Sequence, residues 1–194
     1  MAPSASTPPL RRGRVYRTRD LARWSTNPTR LAKRLVEDGT LERLAHGLYA
    51  RPGQSRFGPV PPSDRELLRR FLGNSPFVVT GPERWNALGL GSTALYANTL
   101  VYNTKRSGTF RLGGRSFHLR RVAFPKRPPK EWFVVDLLQH AREAGVSQRA
   151  VACAAAVAVA SRRLHAGRLR AMADRYATKA VRELLDPALA VTVS

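Results

Sequence analysis

The sequence predicts an α+β fold: an N-terminal winged helix-turn-helix followed by a mixed α/β domain ending in helices. Three observations carry that reading. Residues 14–51, RVYRTRDLARWSTNPTRLAKRLVEDGTLERLAHGLYAR, run as a short strand, two helices joined by a tight turn, and a β-hairpin. Residues 52–62, PGQSRFGPVPP, hold four Pro and two Gly, which punctuate the chain. From Glu131 onward the apolar spacing is helical. The implied organisation is a flexible basic segment at 1–13, the winged helix at 14–52, a linker at 53–62, and a C-terminal interaction domain at 63–194.

The first strand is expected at 15–17. Thr18 is placed to cap a helix over 19–24, with Asp20 near its positive end and Leu21 and Trp24 three apart on the core side. Ser25 and Thr26 make the turn. The next helix has the strongest start signal in the chain. Asn27 is a favoured N-cap, and Pro28 stands at the first helical position, where its missing N–H costs nothing. Leu31 and Leu35 form its buried stripe, which leaves Thr29, Arg30, Lys33, Arg34 and Glu37 on the other faces. Gly39 stops it. Strands at 41–44 and 48–51 then flank Ala45, His46 and Gly47, with Arg43, His46 and Arg51 decorating the hairpin.

Beyond the linker, Ser63 and Glu66 read as a capping box for a helix through Leu72. A strand at 77–80, a short helix at 82–88, and strands at 99–103, 109–112 and 116–122 follow. Helices are expected at 131–143, 148–165 and 168–185. The Ala/Val-rich 148–165 segment, apolar nearly all round, should be the central buried helix, with Cys153 inside it. Asp136, on an apolar helix face, is expected to pair with a nearby Arg.

Charge narrows the class of partner. The chain has 34 Lys+Arg against 13 Asp+Glu, a formal net charge of +21, and Arg outnumbers Lys 29 to 5. The excess is spread along the chain: 12 basic and 4 acidic side chains in 1–62, 14 and 6 in 63–146, 8 and 3 in 147–194. Such a field favours nucleic acid, an anionic membrane or an acidic protein. One cysteine excludes an internal disulfide framework and a multi-cysteine metal site. Residues 1–10 lack the apolar segment of a signal peptide, and the longest apolar run, at 150–160, is too short to span a bilayer. The expectation is a cytoplasmic protein with no membrane partner.

The enzyme readings fail on specifics. Gly89, Gly91 and Ala94 fit a dinucleotide-type spacing but follow a short helix rather than a strand. His46, His118, His140 and His165 are scattered without ligand spacing. A metal-dependent nuclease of the restriction type needs paired carboxylates, usually with a lysine two residues on, and the positions two before each lysine hold Leu31, Asn103, Phe124, Pro128 and Ala177, none of them acidic. No catalytic residue, cofactor or metal site is expected.

The chain resembles the AbiEi-like antitoxins of type IV toxin–antitoxin systems. The likeness is carried by Leu41 through Pro52 (LERLAHGLYARP), then Phe57-Gly58-Pro59, Pro61-Pro62-Ser63, Val79-Thr80-Gly81-Pro82 and Leu88-Gly89-Leu90. It covers roughly 14–125. Relatives place a helix ahead of the first strand, where this chain has the Pro-rich 1–13, so either that helix is dispensable or the true start lies upstream. The resemblance implies autorepression through binding of promoter repeats in double-stranded DNA. It also implies antagonism, direct or functional, of a cognate nucleotidyltransferase-like toxin. It puts DNA reading on Thr26, Asn27, Thr29, Arg30, Lys33 and Arg34, with Arg43 and Arg51 on the wing; His46 at the loop tip reads as a phosphate contact or plain surface rather than a metal ligand. The residues alone leave open a plain repressor whose second domain serves oligomerisation or ligand binding. They also leave open an interaction protein that binds DNA only through general charge.

Overall fold

The computed structural model describes residues 8–90 and 99–190, an α+β chain. Two compact units result: Met1–Pro76 with Phe110–Ser116, and Phe77–Thr109 with Phe117–Ser194.

In the first unit, β1 (Arg14–Arg17) leads into a 3₁₀ helix at Thr18–Arg23, then α1 (Pro28–Glu37), β2 (Glu42–Ala45) and β3 (Leu48–Arg51). The strands make an antiparallel sheet of order β1-β3-β2, with Val15 opposite Ala50 and Tyr16 opposite Tyr49. A register shift between Arg43 and Ala45 marks a bulge beside the hairpin turn, where Gly47 takes φ +67°. Leu21, Leu31, Ala32, Leu35, Leu41, Tyr16 and Leu10 share one core. Burying Leu31 and Leu35 contributes about 1.5–3 kcal/mol each, enough to dock a ten-residue helix that would not persist alone.

Several local expectations change here. Thr18 does not cap the first helix; Arg17 holds that position, and its backbone N–H donates to Asp20 Oδ2 at 3.0 Å. Trp24 is 38% exposed rather than in the core: the 3₁₀ helix ends at Arg23, and Trp24, its C-cap, leaves the helical path at φ −123°, so Leu21 is the residue of this turn that is buried. Residues 8–13 are tied down: Leu10 is buried, Arg11 N–H donates to the Tyr16 hydroxyl at 2.7 Å, and Gly13 N–H donates to Arg51 O at 2.8 Å. The stretch expected as a linker contains a hairpin of β4 (Gly53–Ser55) and β5 (Gly58–Val60).

Next in the first unit is α2 (Asp64–Phe71), whose N-cap Ser63 accepts the Glu66 N–H at 3.3 Å. The reciprocal half of the capping box is not made. The buried Glu66 carboxylate turns to Arg14 at 3.3 Å, to the Val15 N–H at 3.5 Å, and to Arg69 Nε at 3.1 Å. Burial alone would raise its pKa, but the Arg69 hydrogen bond and charge, with the Val15 N–H and Arg14, hold it below the ordinary carboxylate range. Segment 110–116 completes the unit. Phe110 packs edge-on to Phe71 at 5.0 Å, and Gly113 donates to Leu44 O at 3.0 Å, so near Leu44 that a Cβ there would meet its Cδ2 at 2.9 Å.

The second unit holds β6 (Phe77–Thr80), α3 (Pro82–Asn86), β7 (Thr99–Asn103) and the parts of β8 (Gly108–Leu112) and β9 (Arg115–Arg121) that lie outside 110–116. The sheet order is β6-β7-β9-β8, with β6 antiparallel to β7 and β7 parallel to β9. Four helices follow: α4 (Lys130–Gln139), α5 (Gln148–Ala160), α6 (Ala166–Tyr176) and α7 (Lys179–Ala190). The segment expected as one helix at 168–185 is two. Ala177 is extended at ψ 153°, and Thr178 Oγ1 accepts the Val181 N–H at 3.4 Å to start α7 afresh.

The most buried helix is α4, not the Ala/Val-rich α5. In α4, Glu131, Trp132, Val134, Val135, Asp136, Leu137 and Leu138 are all buried, whereas Cys153 and Val157 on α5 are exposed. Small side chains let α5 read as apolar all round while giving one face to solvent. Asp136, 2% exposed, pairs with no Arg among the described residues. It accepts from Trp85 Nε1 at 2.8 Å, from the Tyr102 hydroxyl at 2.7 Å, and from Thr80 Oγ1, which binds α3, β7 and β6 to α4. Among the described residues, no helix is long and apolar enough to cross a membrane.

Candidate nucleic-acid interface

The candidate surface is the outer face of α1. Ser25 Oγ accepts the Asn27 N–H at 3.1 Å and shapes the turn ahead of the helix. Asn27 Oδ1 then accepts the Arg30 N–H at 3.0 Å, and Pro28 removes one donor the cap need not satisfy. At 3.6 residues per turn, a stripe through Leu31, Leu35 and Ala32 turns inward, and Arg30, Lys33, Arg34 and Glu37 fall together on the opposite side. Gly39 at φ +73° and the Asp38 cap end the helix before the chain turns into β2.

Arg30, Lys33, Arg34 and Glu37 line one open depression of about 740 Å³ with Pro8, Trp24, Ser25 and Leu31. Glu37 stands 3.7 Å from Lys33 in an exposed pair, which is weak in water and leaves most of the positive field intact. Among the described residues, Arg30 and Arg34 make no ion pair within 4 Å. Each therefore presents a guanidinium fork to solvent, the donor geometry that matches phosphate or a guanine edge. Thr26, Asn27 and Thr29 are exposed around the helix start, with Thr29 turned to the flank of the cationic face.

The hairpin residues divide. Arg43 is exposed on β2 opposite Tyr49, and His46 is exposed at the turn that Gly47 permits. Arg51 stands apart from both. It ends β3 at the opposite end from that turn, is half-buried, and donates through its guanidinium to the Leu10 carbonyl. Its charge is committed to holding the N-terminal segment. Sequence reasoning missed Trp24 as a wall of the depression, because a helical period placed it beside Leu21 in the core. Pro8 gave no signal at all in the sequence.

Among the described residues, no group of three or more His, Cys, Asp or Glu side chains is placed to hold a metal ion. The dinucleotide-type spacing at 89–94 lies from residue 91 onward outside the described residues. A scan against protein-family models and a search of curated proteins return no match for this chain.

Proposed function

We propose that residues 14–51 act as a winged helix-turn-helix that binds double-stranded DNA, with α1 entering the major groove and the β2–β3 hairpin as the wing. The observation that carries this is the exposed α1 face, where Arg30, Lys33 and Arg34 stand together behind a sharply capped helix start. A major groove admits such a helix, and Arg forks reach guanine edges from its first turns. Given the resemblance to AbiEi-like antitoxins, the chain is proposed to repress its own operon at promoter repeats and to antagonise a nucleotidyltransferase-like toxin, with no catalysis of its own.

The test uses the full chain and duplex DNA from upstream of its own gene. Arg30→Ala and Arg34→Ala are expected to cost about 1–3 kcal/mol of sequence-specific binding while weakening a scrambled duplex less. Equal losses on both duplexes would assign these residues to phosphate alone. Co-expression with a neighbouring nucleotidyltransferase-type gene tests the antitoxin part: restored growth supports it, and continued toxicity sends the reading to a plain repressor. That second reading has an observation of its own, a ligand-sized pocket in the second unit.

A further inference from the structure

We propose that the second unit holds a binding site for a small organic anion, a carboxylate or phosphate on a compact apolar body, in the pocket between α3, β7, β9 and the end of α4. The pocket measures about 250 Å³. That is just below the range of about 300–1,000 Å³ usual for drug-sized ligands, so its occupant is small.

The strand register builds the pocket. On parallel neighbours β7 and β9, Leu100 lies opposite His118 and Tyr102 opposite Arg120. Alternation along β9 buries Phe117 and Leu119 on one face and leaves His118 and Arg120 exposed on the other. Pro82, Trp85 and Leu100 supply an apolar wall, His118 and Arg120 supply the donors, and His140 anchors Arg120. A few convergent polar groups over apolar side chains is the pattern of a ligand site.

The donors are held in place and have capacity left. Trp85, fixed by its bond to Asp136, stacks on His140 with centroids 5.6 Å apart and planes 18° from parallel. His140 Nδ1–H donates to the Asp136 carbonyl oxygen at 2.8 Å. Its Nε2 accepts one Arg120 N–H at 2.8 Å. A guanidinium has five N–H donors, and among the described residues Arg120 makes no ion pair within 4 Å. His118 Nδ1 meets Thr109 Oγ1 at 3.1 Å, which leaves Nε2 for a ligand. Burial would lower the His140 pKa, but the Asp136 hydrogen bonds and charge outweigh it and Arg120 and hold it above its ordinary value. Glu143 also lines the pocket and disfavours a polyanion, which sets this site apart from a nucleic-acid backbone.

The test is a titration of the full chain with benzoate, followed by imidazole proton NMR of its four histidines. Benzoate is expected to shift His118 and His140 saturably and leave His165 unmoved, while neutral benzamide shifts none. Arg120→Ala should weaken benzoate by about tenfold or more, as loss of a charge-assisted contact does. His118→Ala, on the same exposed strand face, should weaken it independently, and Arg127→Ala, outside the pocket, should change nothing. Near-UV circular dichroism confirms that each variant is folded. Linear shifts spread over all four histidines, benzamide binding as well as benzoate, or unchanged affinity in folded Arg120→Ala would each overturn the site. Inorganic phosphate binding as tightly as benzoate would overturn the role of the apolar wall.

Discussion

Asn27 Oδ1 accepts the Arg30 backbone N–H at 3.0 Å, so the residue that starts α1 also fixes where its first outward guanidinium leaves the helix. Stability and candidate recognition therefore meet in one side chain. Asn27→Ala is predicted to cost about 1 kcal/mol in urea unfolding, and Asn27→Ser much less, because serine restores the acceptor. Equal losses for Ala and Ser would show that the cap contributes nothing.

Arg43 and Arg51 should behave oppositely. Arg51→Ala removes a charged donor from the Leu10 carbonyl and is predicted to destabilise the first unit by about 1.5–3 kcal/mol. Arg43→Ala, on an exposed strand position, should leave stability within about 0.5 kcal/mol and weaken DNA binding evenly across sequences. Urea unfolding and binding isotherms on two duplexes separate the two. A stable Arg51→Ala protein with altered sequence preference would return Arg51 to the interface.

Glu66 gives a pH signature. Its folded pKa is depressed, so its contribution is fully present above the unfolded value and fades as pH falls through the lower, folded one. The stability deficit of Glu66→Gln should be present at pH 7 and shrink progressively in acid below the ordinary glutamate value of 4.5. Paired urea titrations across that window check this, and a deficit independent of pH contradicts it.

Asp136 serves donors from three other elements, Thr80, Trp85 and Tyr102. Asp136→Ala removes the charged acceptor those three buried donors share, with a predicted loss of about 3 kcal/mol or more in thermal or urea unfolding. Tyr102→Phe removes only one donor and should cost about 1 kcal/mol. Burial, then the Asp136 charge, push the Tyr102 hydroxyl far above its ordinary pKa, so it remains a donor throughout the working pH range. Near-equal losses for the two variants would mean that the carboxylate holds nothing beyond Tyr102.

What the sequence made legible was local. Asn27-Pro28 and Gly39 bound α1 where they should, and Phe77–Thr80 and Thr99–Asn103 emerge as strands with the expected ends, because caps and apolar runs act within a few residues. Long-range partners left no such trace. Nothing near Asp136 in sequence points to Tyr102, 34 residues away, or Thr80, 56 away, and a buried carboxylate with neutral donors reads like one awaiting an Arg. Arg51 looked like a wing cation because its acceptor, the Leu10 carbonyl, lies 41 residues back. Cys153 was misplaced because an Ala-rich helix has no polar face to show which side meets water.

The central claim is that this cationic chain binds duplex DNA through the α1 face, and the salt dependence of that binding tests it most directly. Each phosphate neutralised contributes about −0.9 to the slope of log affinity against log salt. The full chain is predicted to give a steep negative slope on duplex DNA, and Arg30→Ala a shallower one with lower affinity. A flat salt response, or a slope and affinity unchanged by Arg30→Ala, would contradict the account.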